Sequence, residues 1–181
     1  MAFVLPPAQA LPELPEQQQI EVLDHLFEPC PTLQRYLLPR VFREPFHSYR
    51  AFIEGCREFL MSLLTVNPDT DPRIGAIIAA HPRLGAPKKG EMLSEHSSAE
   101  QKSLQGSGEE QQRLAALNEA YERKFPGLRY VVFVNGRSRE DIMKNMEQRI
   151  DRGDVSNERV EAFNAMCDIA IDRAKKLGAK L

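Results

Sequence analysis

Apolar residues recur at helical spacing along most of the chain. Ile20, Leu23 and Phe27, with Val22 and Leu26 beside them, predict a short first helix over Glu16 to Phe27, ended by Pro29 and Pro31. Thr32 to Phe42 places Leu33, Tyr36 and Leu37 on one side, but Pro39 interrupts it, so two short turns are expected. Phe52, Cys56, Phe59 and Leu63, flanked by Ile53, Leu60 and Leu64, form a wide stripe that predicts a helix from His47 to Thr65. Asp71 and Pro72 read as N-cap and first position of the next helix, buried along Ile74, Ile77 and Ile78. It should end near His81, because Pro82 disfavours helix in the residue before it.

Arg83 to Gly108 is polar and broken by glycine and proline, which predicts a long surface loop with a short helical turn near Ser98 to Leu104. Glu109 to Phe125 is helical again, with Leu114, Leu117, Tyr121 and Phe125 on one face. Leu128 to Val134 is the one β-like run, and a lone strand makes no sheet, so it is expected to thread extended against helices. Ser138 opens a helix through Ile150, buried along Ile142, Met146 and Ile150. Ser156 is the expected cap of a last helix to Leu177, with Val160, Phe163, Cys167, Ala170 and Ala174 inward. The fold class is all-α: a single-domain multi-helix bundle with one extended segment. Residues 1–15 form a proline-rich N-terminal segment, 16–178 the helical domain and 179–181 a tail.

A chain of 181 residues suits one domain, with no separate cofactor lobe. The formal net charge of −2 supplies no bulk cationic field, so nucleic acid and anionic membrane are not expected partners. No apolar run approaches the roughly 18 residues of a membrane span, and the first 15 residues lack the pattern of a secretory signal. Cys30, Cys56 and Cys167 are odd in number and widely spaced, as expected of core thiols in a reducing compartment.

Of four histidines, His81 stands apart because it ends an apolar helix where a loop begins. A helix C-terminus favours the charged imidazolium, and histidine is readily poised for proton transfer; a capping or core histidine is the plainer alternative. Ser97 and Glu100 are three apart, the spacing of a capping box, while a carboxylate such as Glu100 beside His81 would make an acid–base couple. No HxH, HExxH or CxxC spacing occurs, so no metal site is expected. Gly85 to Gly90 lacks the GKS/T ending of a phosphate loop and reads as a solvated basic loop. Val134-Asn135-Gly136-Arg137 signals a turn whose amides, with Arg137, could receive an anionic or imide-like group. Arg173 lies three residues after Ala170, near the inner stripe, and requires a charged partner on the fold or on a substrate.

Taken in order, His81-Pro82-Arg83-Leu84-Gly85, Ser97-Ser98-Ala99-Glu100-Gln101, Leu117-Asn118-Glu119-Ala120-Tyr121 with Phe125, the Val132 to Ser138 run, and Arg173 resemble one family. It is the 2-oxo-4-hydroxy-4-carboxy-5-ureidoimidazoline (OHCU) decarboxylase family of urate degradation, and the resemblance runs from about Leu14 to Leu177. It implies a cofactor-free and metal-free helical enzyme, usually a homodimer, whose product is (S)-allantoin. It further implies that His81 is the catalytic histidine, Glu100 its carboxylate partner, Ser97 and Gln101 substrate hydrogen-bonders and Arg173 a substrate anchor, with Pro82 setting the histidine's loop.

Two departures stand out: Arg83-Leu84-Gly85 where many members read Asp-Leu-Ala-Gly, and Asn135 where many carry arginine. Asn135 motivates the rival reading, a binding or scaffold protein that keeps the fold without activity. A hydrolase using Ser97 with His81 lacks nucleophile-elbow spacing. Ala179-Lys180-Leu181, freed by the helix stop Gly178, resembles the Ser-Lys-Leu address read by the peroxisomal import receptor, so a peroxisomal location is expected, with the cytoplasm as the alternative.

Overall fold

A computed structural model describes residues 2–85, 93–102 and 106–181. The helices are α1 (Glu16–Leu26), α2 (Pro31–Val41), α3 (Tyr49–Ser62), α4 (Pro72–Ile78), α5 (Glu95–Gln101), α6 (Gly108–Lys124), α7 (Arg139–Arg152) and α8 (Val155–Lys176), with 3₁₀ turns at Ala8–Glu13 and Leu63–Thr65. No β-strand occurs among the described residues. The longest helix, α8, is the axis: α3 packs along it most extensively, and α1 and α4 also lean on it. The α3 stripe of Phe52, Ile53, Cys56 and Leu60 meets it fully buried, together with Phe163, Cys167 and Ala170 from α8. All three cysteines are buried free thiols.

Several boundaries differ from the sequence reading for local reasons. Pro39 does not split α2, since it sits in the last turn. There it removes one N–H, while Arg40 Nη1 donates to the Tyr36 carbonyl (2.7 Å) and Arg43 Nε to that of Pro39 (2.7 Å). The buried face of Leu33, Tyr36, Leu37 and Val41 holds the helix together across it. The α3 helix starts at Tyr49, capped by Ser48, and passes into the 3₁₀ turn at Leu63. Asp154, not Ser156, caps α8, its side chain accepting from the Asn157 N–H (3.1 Å). That register turns Val160 outward, 38% exposed, and gives an inward position to Glu158.

The proline-rich N-terminus is packed, with Ala8 and Leu11 in the core and the Tyr49 hydroxyl donating to the Pro6 carbonyl (2.6 Å).

The run Leu128 to Val134 is extended and unpaired as a strand, and side chains take the place of a neighbouring strand. Arg149 Nη1 donates to the Val131 carbonyl (3.2 Å), and the Tyr130 hydroxyl donates to Asn145 Oδ1 (2.6 Å). Arg149 is itself fixed by Glu158, Nε to Oε1 at 2.8 Å, and Tyr121 donates to the same carboxylate oxygen (2.6 Å). A wholly buried carboxylate is tolerable here because it is ion-paired and hydrogen-bonded together. The network aims the extended segment at the face where α5 and α8 meet.

Candidate active site

A cavity of about 290 Å³ lies between the turn after α4, helix α5, the extended segment and the C-terminal half of α8. His81, Pro82, Ser97, Glu100, Gln101 and Asn135 all line it, so six sequence-predicted site residues converge although they span three separate parts of the chain. Leu84, Val132 and Ile169 give it apolar walls.

His81 follows α4, which ends at Ile78 and not at the histidine; its N–H reaches the Ile78 carbonyl at 3.2 Å. Its carbonyl accepts from Arg129 Nη1 (2.8 Å), which ties the histidine's backbone to the start of the extended segment. His81 is 5% exposed, and its Nε2 is buried without a hydrogen-bond partner among the described residues. Burial, with the positive charges of Arg173 and Arg129 added, lowers its pKa to about 3. The charged imidazolium expected from a helix C-terminus is therefore reversed: desolvation and neighbouring cations outweigh the helix end, and the His81 ring is neutral.

Helix α5 brings the polar groups. Ser94 is its cap, accepting from the Ser97 N–H (3.1 Å), so Ser97 and Glu100 do not form a capping box. The Ser97 hydroxyl donates to Glu28 Oε1, and Ser94 donates to the same atom at 3.0 Å. Gln101 Oε1 accepts from the Gly85 N–H (2.9 Å), and Gly85 has φ +83°, where glycine is favoured. Asn118 Nδ2 holds the adjacent Leu84 carbonyl (3.0 Å). The predicted basic loop from Ala86 to Gly90, and Leu104, lie outside the described residues.

Glu100 does not bond to His81. Its carboxylate forms a two-point pair with Arg173, Nε to Oε2 and Nη2 to Oε1, both 2.8 Å. Arg173 is 1% exposed and otherwise spent on Glu28 (3.1 Å), Ser97 Oγ (3.3 Å) and the Phe27 carbonyl (2.7 Å). Of the two partners the sequence allowed, the fold's own carboxylates have it. With the Leu26 carbonyl at 3.5 Å from Nη1, all five donors of the guanidinium face groups of the fold among the described residues, so its observed contacts position the site's own carboxylates. Arg137 is exposed, is not among the residues that line the cavity, and turns back onto the Val134 carbonyl (Nε, 3.2 Å) and that of Phe133.

Asn135 and Gly136 both have positive φ, 47° and 75°, and the Arg137 N–H closes the turn on Val134 (3.0 Å). Asparagine tolerates that conformation better than most residues do, so Asn135 suits the turn it occupies. The departure at Arg83 is also internally met, by Glu122 at 2.6 Å. Sequence reasoning missed Glu28, Asp172 and Lys176. Glu28 had a faint signal, a lone acid inside the apolar stretch Leu26 to Cys30. Asp172 and Lys176, one helical turn apart, look like any exposed ion pair until the cavity is seen beside them.

No curated protein matches the chain. The family model described as OHCU decarboxylase matches residues 12–175, nearly its whole length. With that match the chain belongs to the OHCU decarboxylase family, cofactor-independent lyases that decarboxylate 2-oxo-4-hydroxy-4-carboxy-5-ureidoimidazoline in urate degradation.

Proposed function

We propose that His81 is the base of this decarboxylation and that Glu100, held by Arg173, is the second polar group facing the substrate. The single observation that carries the reading is the neutral, buried His81 in the wall of a small cavity, its Nε2 unpartnered among the described residues. When the carboxylate leaves as CO2, the bonding pair moves toward the adjacent ring C=N, whose nitrogen takes a proton. The resulting enol loses its hydroxyl proton to His81, and the carbon bearing the ureido group gains one. Delivery of that last proton to one face makes the product (S)-allantoin. The chain's own tasks are orientation and proton control.

Ser97 is a positioning group in this reading, because its hydroxyl donates to Glu28 and not toward His81, which also leaves a Ser97 hydrolase without its base. His81→Asn should lower turnover by roughly 10²–10⁴ while leaving the fold intact. Retention of wild-type turnover in that variant would remove the assignment.

A peroxisomal address is part of the proposal: Gly178 at φ +87° ends the helix, and Lys180 and Leu181 are exposed. Deleting Ala179 to Leu181 should leave a fluorescent fusion in the cytosol. The family homodimer is checked by sedimentation velocity, with a monomer at micromolar concentration as the contrary result.

A further inference from the structure

The substrate carries a carboxylate, yet the strong cations near the cavity are committed elsewhere: Arg173 to Glu28 and Glu100, Arg137 to its own turn. Among the described residues lining the cavity, Lys176 is the one lysine or arginine. It sits on α8 close to Arg173, with its side chain 65% exposed, and its Nζ is 2.8 Å from Asp172 Oδ2. Asp172 lines the same cavity and is 27% exposed. An exposed pair one helical turn apart is weak, so the ammonium exchanges one carboxylate for another at little cost.

We infer that Lys176 is the capture residue for the substrate carboxylate, with Asp172 as the latch that holds it when the cavity is empty. The inference rests on the family's decarboxylation reaction.

Reaction chemistry explains why the cation should be a mobile lysine at the rim. The carboxylate charge disappears as CO2 leaves, so a rigid two-point guanidinium clamp would stabilise the ground state more than the transition state and slow the reaction. A flexible, hydrated ammonium attracts the anion on approach and follows the charge as it moves into the ring, so it favours ground state and transition state alike. Its contribution therefore belongs to capture and not to the chemical step.

The test uses the full chain with freshly generated substrate at low ionic strength. Lys176→Gln should lower kcat/KM by roughly fivefold with kcat held within twofold, and Lys176→Arg should restore most of the loss. Lys175→Gln, on an exposed neighbour that does not line the cavity, should change neither, which separates local capture from net charge. Raising salt should shrink the difference between wild type and Lys176→Gln. A readout independent of turnover is competitive binding: Lys176→Gln should weaken hydantoin-5-acetate, an anion, and leave neutral allantoin unchanged. Equal losses in Lys175→Gln and Lys176→Gln, a fall in kcat, or unchanged binding of the anionic probe would overturn the inference. Absence of decarboxylation in the wild type would instead count against the family activity, and the binding comparison would still decide the role of Lys176.

Discussion

Arg173→Met removes the charge between two carboxylates while keeping an unbranched side chain in place. In the native protein Arg173 is 1% exposed and Glu28 5%, with the guanidinium 3.1 Å from Glu28 and 2.8 Å from Glu100. Removing one partner of a buried, hydrogen-bonded pair costs about 3–5 kcal/mol, because the remaining charge stays desolvated. Here the Phe27 carbonyl also loses its 2.7 Å donor, which places the expected loss toward the upper end. For a domain of this size that lowers Tm by roughly 6–20 °C. Thermal unfolding followed by far-UV CD measures it. A second variant separates charge burial from packing: in Glu28→Gln/Arg173→Met the orphaned Glu28 charge is gone, so part of the loss should return. If Arg173→Met unfolds within about 2 °C of wild type and only raises KM, the guanidinium serves the substrate directly and the reasoning fails.

Other consequences are checked independently. Because burial and the flanking arginines hold His81 to about 3 in the fold against 6.5 in the open chain, the unfolded state binds the extra proton between those values. Stability contributed by this group is therefore complete above pH 6.5 and falls as pH drops toward 3; nitrogen NMR of the ring should show neutral imidazole at pH 6, and an imidazolium there refutes it. Asp154→Ala should cost about 1 kcal/mol in chemical unfolding and Ser156→Ala almost nothing, the reverse of a Ser156 cap. Gly75→Ala should destabilise by about 1–3 kcal/mol despite better helix propensity, since the new Cβ would meet the Gly127 carbonyl oxygen at 2.9 Å; a raised Tm contradicts that packing.

The helices were legible wherever one apolar face repeated, as in α3, where Phe52, Cys56 and Leu60 announce both the helix and its buried side. Boundaries set by a single cap were less so: Asp154 and Ser156 both suit the role, and only the register that buries Glu158 decides between them. Pro39 misled because propensity acts locally, whereas burial of Leu37 and Val41 acts across the whole helix. At the site, residue types and order placed His81, Glu100 and Gln101 around one cavity, yet pairing did not follow from order. Glu100 could have met His81 or Arg173 on sequence grounds. The choice depends on Glu28, brought from the end of α1 to share the same guanidinium. The charge state of His81 was likewise invisible, since it is set by burial and by two arginines distant in the chain.

The central claim is that this cavity decarboxylates OHCU with stereocontrol through His81. The most direct measurement couples urate oxidase and hydroxyisourate hydrolase to the protein and follows the growth of the allantoin CD signal. Wild type should accelerate it and give the (S) enantiomer, and His81→Asn should return the slow, racemic course of spontaneous decay. A wild-type trace indistinguishable from that spontaneous course, or an undiminished signal from His81→Asn, would contradict the account.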